Sequence, residues 1–272
     1  MRNKILTGSA ILIFILAPGL YAYERIVSII PSVTKSLYLL GLEDKIVGVT
    51  IYCPPAAKDK EKIGNVLEPD IEKIVSLKPD LVLASEEGNR LVTVNTLKSL
   101  GLKVYYTHAV NSIGDIDSDF IKLGRFLGAG AKANDIVRTS QKRIAALKDR
   151  KKTGAAPTVF LEVGAQPLFT AGKLCFLNDI IEAAGGKNIF LDTDQRFPQV
   201  SREEIIRRDP DVIVLIAMGD VTQNETTSWS EFKGLKAVKT GRIYVVNDSS
   251  FTDPTPKSAA DAAEKLAALL YP

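Results

Sequence analysis

Two segments of this 272-residue chain, far apart in the sequence, repeat one pattern. Residues 71–83 read IEKIVSLKPDLVL and residues 202–215 read REEIIRRDPDVIVL. In each segment Pro-Asp stands seven and eight residues after a glutamate, Glu72 or Glu203, and an apolar run follows. Because proline cannot continue a helix, the pattern predicts a short helix that ends before Pro-Asp and leads into a buried strand. The chain therefore predicts two similar halves.

Apolar runs typical of strands alternate with helix-periodic segments through both halves. Strands are predicted at 25–30, 46–50, 81–84, 103–107, 158–163, 212–217 and 242–246, and helices at 33–40, 71–77, 91–100, 175–184 and 203–208. This alternation favours parallel βαβ units. The predicted fold class is α/β, with parallel-type sheets in two lobes.

The segment between the halves predicts one long helix. Residues 131–152 read AKANDIVRTSQKRIAALKDRKK, without proline or glycine, and basic side chains crowd the end, where they suit a helix C-terminus. Such a helix has about 20 residues and a length of about 30 Å. It could be a plain surface helix or a rigid strut between lobes. We predict an N-terminal lobe at 23–128, a bridging helix at 129–153 and a C-terminal lobe at 154–272.

The N-terminus has the pattern of a secretory signal. Arg2 and Lys4 precede an apolar run over 5–17, Pro-Gly interrupts it, and Ala22 offers a cleavage point. The run is shorter than the roughly 20 apolar residues that span a membrane. We predict a signal peptide at 1–22 and a periplasmic protein, with an uncleaved anchor as the alternative. No cysteine near Ala22 could carry a lipid.

The composition excludes several functions. Without Arg2 and Lys4 of the signal, 33 of the 35 basic residues remain, against 32 acidic ones. Binding a nucleic acid requires an excess of positive charge, so this balance argues against a nucleic-acid partner. One histidine, His108, cannot build a metal site or a catalytic triad, and no phosphate-binding loop is present. No catalytic residue, metal site or cofactor is predicted. Cys53 and Cys175 fall in different halves and are expected to be free thiols.

Several segments carry a family resemblance. RIVSIIPSVTKSLYLLGLEDKIVGVTIYCPPAA, IEKIVSLKPDLVLAS and PQVSREEIIRRDPDVIVL, with PLFTAGK and GGKNIF, resemble periplasmic substrate-binding proteins of ABC importers for cobalamin, haem and ferric siderophores. The cobalamin-binding members are the most similar. The resemblance implies two lobes bridged by one long helix, with the ligand in the cleft between them. It also implies that Glu72 and Glu203 pair with arginines of a permease dimer. A glutamate that favours a helix N-terminus is the alternative interpretation.

The resemblance implies a ligand site built mainly from aromatic rings, because a corrinoid is large, flat and apolar on its faces. The expected ligand-binding residues are Ser32, Tyr52, Cys53, Phe169, Phe197 and Phe251. Ordinary core packing is the alternative for the phenylalanines. Ser32 and Thr34 follow a strand at a helix start and could contact the ligand or cap the helix.

The chain also departs from the cobalamin-binding pattern. Val66 and Ser85 align with two tryptophans of the cleft, and Asp253 aligns near an arginine. The single tryptophan, Trp229, falls in TTSWSEF, which looks like a segment between elements.

The sequence therefore predicts a non-enzymatic, monomeric binding protein that captures a corrinoid, with cobalamin first, and delivers it to an ABC importer. The same role for haem or a ferric siderophore is the nearest alternative. A chelatase-like enzyme of related architecture is the second, and one histidine argues against it.

Overall fold

The computed structural model describes residues 23–148, 154–216 and 222–272. The predicted signal peptide and the last residues of the predicted bridging helix lie outside these ranges. Within them the chain forms two lobes, each built on a five-stranded sheet, which confirms the predicted α/β class. None of the helices in these ranges is long and apolar enough to cross a bilayer.

The N-lobe is a wholly parallel sheet covered by helices on both faces. In chain order its elements are β1 (Ile26–Ser28), α1 (Pro31–Leu40), β2 (Ile46–Val49), β3 (Glu61–Lys62), α2 (Ile71–Ser76), β4 (Leu81–Ser85), α3 (Leu91–Ser99) and β5 (Val104–Thr107). The strand order is β3-β2-β1-β4-β5. Every neighbouring pair is parallel, as the alternating pattern predicts.

Alternate residues of the central strands divide the N-lobe core into two layers. Ile26 packs in a cluster with Leu37 of α1, whereas Val27 packs on the other face with Ile74 of α2. β4 is buried along its whole length, which is why its sequence reads as an unbroken apolar run.

Two antiparallel helices join the lobes: α4 (Ile113–Phe126) and α5 (Gly130–Lys148). A Cβ atom at Gly124 would lie 2.5 Å from the Cβ of Ala133, so glycine is required where the two helices meet. Arg143 of α5 binds Asp261 and Glu264, each with a 2.7 Å contact. Of the predicted bridging helix at 129–153, residues 130–148 form α5, which packs against α4 and the C-terminal helix Pro256–Leu270. The second helix at the junction, α4, was not predicted.

The C-lobe repeats the plan with a variation at one edge. Its elements are β6 (Thr158–Ala165), β7 (Leu168–Thr170), α6 (Phe176–Ala184), β8 (Lys187–Asn188), α7 (Arg202–Arg208), β9 (Val212–Ile216), α8 (Thr222–Ser230), α9 (Lys236–Lys239), β10 (Ile243–Val246) and α10 (Pro256–Leu270). The order is β10-β9-β6-β7, with β8 also paired to β6. β7 is antiparallel to β6, and the other pairs are parallel.

Candidate functional site

The repeated sequence folds into two equivalent helices, α2 in the N-lobe and α7 in the C-lobe. Asp70 accepts a hydrogen bond from the Lys73 backbone N–H at 2.9 Å, and Ser201 accepts one from Glu204 at 3.2 Å. Both helices thus begin with a side-chain cap two residues before the predicted docking glutamate. Glu72 and Glu203 therefore occupy the same first-turn position in their helices, and both are exposed.

The two helices also end alike. Lys78 has φ 46° and Asp209 has φ 43°, and these are the non-glycine residues with positive φ in the described chain. Each directly precedes the proline of its Pro-Asp pair. Proline disfavours a right-handed helical residue before it, so each helix ends at this point. In both lobes the residue before the proline is left-handed, and the chain then turns into the following strand.

A polar network attaches α7 to α8. Arg202 bonds Glu225 at 2.7 Å and Ser228 at 2.5 Å, and its guanidinium lies 5.0 Å from the ring centre of Trp229. Arg202 immediately precedes Glu203, so these contacts hold the helix start that presents the predicted docking glutamate. Sequence reasoning missed this network because its members are separated along the chain.

Trp229 corrects a prediction. It lies in α8, not between elements, and is completely buried. The helix is polar and rich in threonine, so it lacks the apolar periodicity that would have indicated a helix. The indole N–H donates to Glu162 Oε2 at 2.7 Å. Burial raises the pKa of the Glu162 carboxyl from 4.5 to about 7, and the hydrogen bond from Trp229 opposes that rise.

Two predicted ligand-binding aromatics are accessible, one on each lobe. Tyr52, after β2, is 65% exposed, and Phe197, in the C-lobe segment beside β7, is 36% exposed. Phe169 lies in β7 opposite Gln199 and is half-buried. The Arg196 guanidinium lies 5.5 Å from the Phe197 ring centre, close enough for a cation–π contact.

Phe251 does not reach the cleft surface. Only 1% of it is exposed, and it packs in the main C-lobe core with Ala262 and Leu266 of α10. The alternative interpretation, core packing, therefore describes Phe251, and the ligand contact that the resemblance implied for it does not fit this burial.

The Cys53 thiol is turned into the N-lobe instead of towards a ligand. It contacts the hydroxyls of Thr34 at 3.1 Å and Thr50 at 3.3 Å, and its side chain packs on the core. Thr34 is fully buried and bonds Ser28 and Ile30. Neither residue is therefore placed to contact a ligand. Both cysteines are free, and Cys175 is buried.

Ser32 remains accessible at the junction of the lobes. The N-cap of α1 is Ile30, which makes no side-chain capping bond, so the capping alternative for Ser32 and Thr34 is wrong. Ser32 lines a cavity of about 50 Å³, which Glu87 and Pro254 also line. That volume holds little more than water. A flat organic ligand would need the exposed walls of the cleft.

Asn89, which was not predicted, connects three segments of the N-lobe. Its Oδ1 accepts from the Ser85 N–H at 2.9 Å, while its amide donates to Ile29 O and Val66 O at 3.0 Å and 2.9 Å. Asn89 thus joins the ends of β1 and β4 to the loop before α2. Val66 is half-buried and Ser85 is buried, so neither supplies the area of the tryptophan with which it aligns.

Two ion pairs that the sequence did not reveal cross between the lobes. Lys35 of α1 bonds Asp253 at 2.9 Å, and Arg196 bonds Glu87 at 2.5 Å. Asp253 follows β10 and Arg196 lies beside the end of β7, at opposite edges of the C-lobe sheet. In each pair the acid and the base come from different lobes.

His108 and the carboxylates form no metal centre. His108 is strongly exposed after β5, with Nδ1 3.6 Å from Glu86. No group of three or more metal-binding side chains occurs within residues 23–148, 154–216 and 222–272.

Two α/β lobes, a helical connection between them and an exposed aromatic side chain on each lobe are the arrangement of a two-lobed binding protein. The chain belongs to the family described as Periplasmic binding protein, which it matches over residues 26–249. A vitamin B12-binding protein of Yersinia pestis is 33% identical over 224 residues, covering 82% of this chain and 80% of that protein.

Solved structures of similar proteins agree with the fold. A possible iron-binding, periplasmic solute-binding protein of Staphylococcus epidermidis has a TM-score of 0.80 at 30% identity, covering 92% of this chain and all of that one. A periplasmic vitamin B12 binding protein of Vibrio cholerae has a TM-score of 0.76 at 28% identity, covering 92% and 97%.

Proposed function

We propose that the protein captures a corrinoid, cobalamin first, in the periplasm and delivers it to an ABC importer. The observation that carries this proposal is the pair of accessible aromatic side chains, Tyr52 and Phe197, on opposite lobes. Aromatic rings supply large contact areas with little loss of conformational entropy, which suits a flat macrocycle. The likeness to vitamin B12-binding proteins supports the choice of ligand.

The charges near the cleft favour a corrinoid over haem or an anionic ferric chelate. Haem carries two carboxylates, and many siderophores carry several negative charges, whereas cyanocobalamin has no net charge. Arg196 and Lys35, at the junction of the lobes, already have acidic partners from the opposite lobe. Their charges are therefore balanced before an anionic ligand binds. The ferric-chelate alternative remains the outcome that the binding experiment tests.

Delivery to the importer would use the two exposed glutamates. Glu72 and Glu203 occupy equivalent positions on equivalent helices, one on each lobe. A permease made of two similar halves could therefore present one arginine to each glutamate. Bidentate arginine–carboxylate pairs give orientation as well as attraction. Residues 1–22 direct export, the mature protein acts as a monomer, and no catalytic step is involved.

A desalting experiment tests the ligand. Purified mature protein is incubated separately with cyanocobalamin, cobinamide, haemin and a ferric siderophore, desalted, and examined by visible spectroscopy. Cyanocobalamin or cobinamide should stay with the protein at close to one equivalent. Retention of haemin alone, or of the ferric siderophore alone, would contradict the corrinoid assignment, and chemical conversion of any probe would contradict the binding-protein role.

A further inference from the structure

The Arg196–Glu87 ion pair between the lobes also includes a backbone segment of the N-lobe. Arg196 Nη2 donates to Glu87 Oε1 and, at 3.0 Å, to the Val110 carbonyl. The Val110 N–H donates to the same Glu87 oxygen at 2.8 Å. Glu87 therefore accepts from both lobes and holds the guanidinium beside Phe197, an exposed aromatic of the cleft.

Both members of the pair remain partly accessible. The Arg196 side chain is 29% exposed and that of Glu87 is 21% exposed. Arg196 Nε is buried and has no hydrogen-bond partner among the described residues, so it is not the atom that a ligand would contact. A ligand on the Phe197 wall could still reach this guanidinium, and it would find the positive charge already neutralised.

Lys35 of the N-lobe likewise has an acidic partner in the C-lobe. Its ammonium group bonds Asp253 at 2.9 Å, and the Ser249 hydroxyl and carbonyl at 2.6 Å and 3.1 Å. The Lys35 and Asp253 side chains are each 18% exposed. Two cations at the lobe junction are thus each matched by an acid from the opposite lobe.

Building on the proposed function, we propose that Glu87, and Asp253 in the same manner, are specificity-determining residues that exclude anionic macrocycles from the cleft. Glu87 binds Nη2 of Arg196 and balances the guanidinium charge, and its own negative charge repels a ligand carboxylate. Specificity is a difference in affinity, and a repulsive group on the protein contributes to it as much as an attractive one.

Glu87→Gln tests the charge with little change in shape. Glutamine keeps an oxygen that can accept from Val110 and Arg196, while the negative charge is lost. The probes are haemin and its dimethyl ester, which share one macrocycle and differ in two carboxylates. Binding of both is titrated in one detergent-containing buffer at low salt, with wild type, Glu87→Gln, Glu87→Gln with Arg196→Gln, and Asp253→Asn. Thermal unfolding of each variant shows that it is folded.

The expected result is selective. Glu87→Gln should bind haemin about tenfold tighter relative to the ester, because the Arg196 charge is no longer balanced and the repulsion of the ligand carboxylates by Glu87 is gone. The double variant should lose that gain, and Asp253→Asn should shift the ratio in the same direction through Lys35. An unchanged ratio, or no haemin binding by Glu87→Gln, would overturn the proposal. An equal gain for both probes would also overturn it and would show that the pair only ties the lobes together.

The two proposals fail separately. The porphyrin ratio does not depend on whether cyanocobalamin binds, so the loss of the corrinoid assignment would leave the charge test intact. Conversely, wild type could retain cyanocobalamin while the porphyrin ratio stays unchanged in Glu87→Gln. In that case only the role of Glu87 would be withdrawn.

Discussion

Asp80 and Asp211 make equivalent contacts in the two lobes. Asp80 accepts from the backbone N–H groups of Glu24 and Arg25 at 2.7 Å and 3.1 Å, directly before β1. Asp211 accepts from the N–H and the hydroxyl of Thr158, both at 2.8 Å, at the start of β6. In each lobe the aspartate of the Pro-Asp pair directly precedes one strand and bonds the start of the parallel strand next to it.

Replacing either aspartate by alanine should destabilise its lobe. Each change leaves two hydrogen-bond donors of a strand start without their carboxylate, so we expect a loss of about 1–3 kcal/mol in the free energy of unfolding. Urea denaturation followed by circular dichroism measures it. Asp44→Ala, at an exposed position, is the matched control and should change stability by less than about 0.5 kcal/mol. Equal effects at all three positions would contradict the structural role.

Removing both predicted docking glutamates should abolish delivery but leave ligand binding intact. Glu72 and Glu203 are exposed and are not among the proposed ligand-binding residues. The dissociation constant of the double variant Glu72→Ala with Glu203→Ala for cyanocobalamin should therefore stay within about twofold of wild type. Importer-dependent uptake should fall by about tenfold or more, because both charge pairs are lost. Uptake of labelled cyanocobalamin, measured beside binding, checks both expectations.

The control for that variant removes the same charge elsewhere. Asp44→Ala with Glu231→Ala takes two negative charges from exposed positions on the two lobes. It should support uptake at the wild-type rate. A similar loss of uptake in the control would indicate a general charge effect, and lost ligand binding in the Glu72 and Glu203 variant would count against the docking assignment.

Truncating the exposed aromatics should weaken ligand binding. Tyr52→Ala and Phe197→Ala each remove ring contact worth about 1–2 kcal/mol, which corresponds to roughly five- to thirtyfold in the dissociation constant of cyanocobalamin. Tyr52→Phe keeps the ring and should bind nearly as wild type. Leu100→Ala, exposed at the far end of α3, is the control for a lost surface side chain. Isothermal titration measures the affinity of all four variants. Unchanged affinity in both Tyr52→Ala and Phe197→Ala would place the ligand elsewhere.

Glu162 should make stability depend on pH. Burial raises the pKa of Glu162 from 4.5 to about 7, so the folded protein holds a proton that the unfolded chain releases between those values. Its contribution is therefore complete below pH 4.5 and is lost as the pH rises through 7. Glu162→Gln keeps an acceptor for Trp229 and does not titrate. Relative to this variant, wild type should lose up to about 3 kcal/mol on going to about pH 8.

Denaturation of wild type and Glu162→Gln across that pH range gives the difference directly. Glu182→Gln, at an exposed position of α6, should follow the wild-type curve. Parallel curves for wild type and Glu162→Gln would show that the carboxyl is charged in the folded protein throughout.

The amino-acid sequence by itself determined the features that depend on neighbouring residues. The repeated Glu and Pro-Asp pattern predicted α2 with β4 and α7 with β9, because helix stops and apolar runs are local signals. The segment 131–152, which has no proline or glycine, predicted the helix whose described part is α5, for the same reason. Elements with weak periodicity, such as β7, β8 and the polar helix α8, were not predicted.

Only the tertiary structure decided which side chains meet and which way they face. Arg196 and Glu87 are 109 residues apart, and nothing in the sequence around either one indicates its partner. Phe251 and Phe197 have the same side chain, yet packing against α10 buries the first and leaves the second accessible. Burial and charge pairing depend on the approach of distant segments, so a local pattern determines the lobes but not the surface that the lobes share.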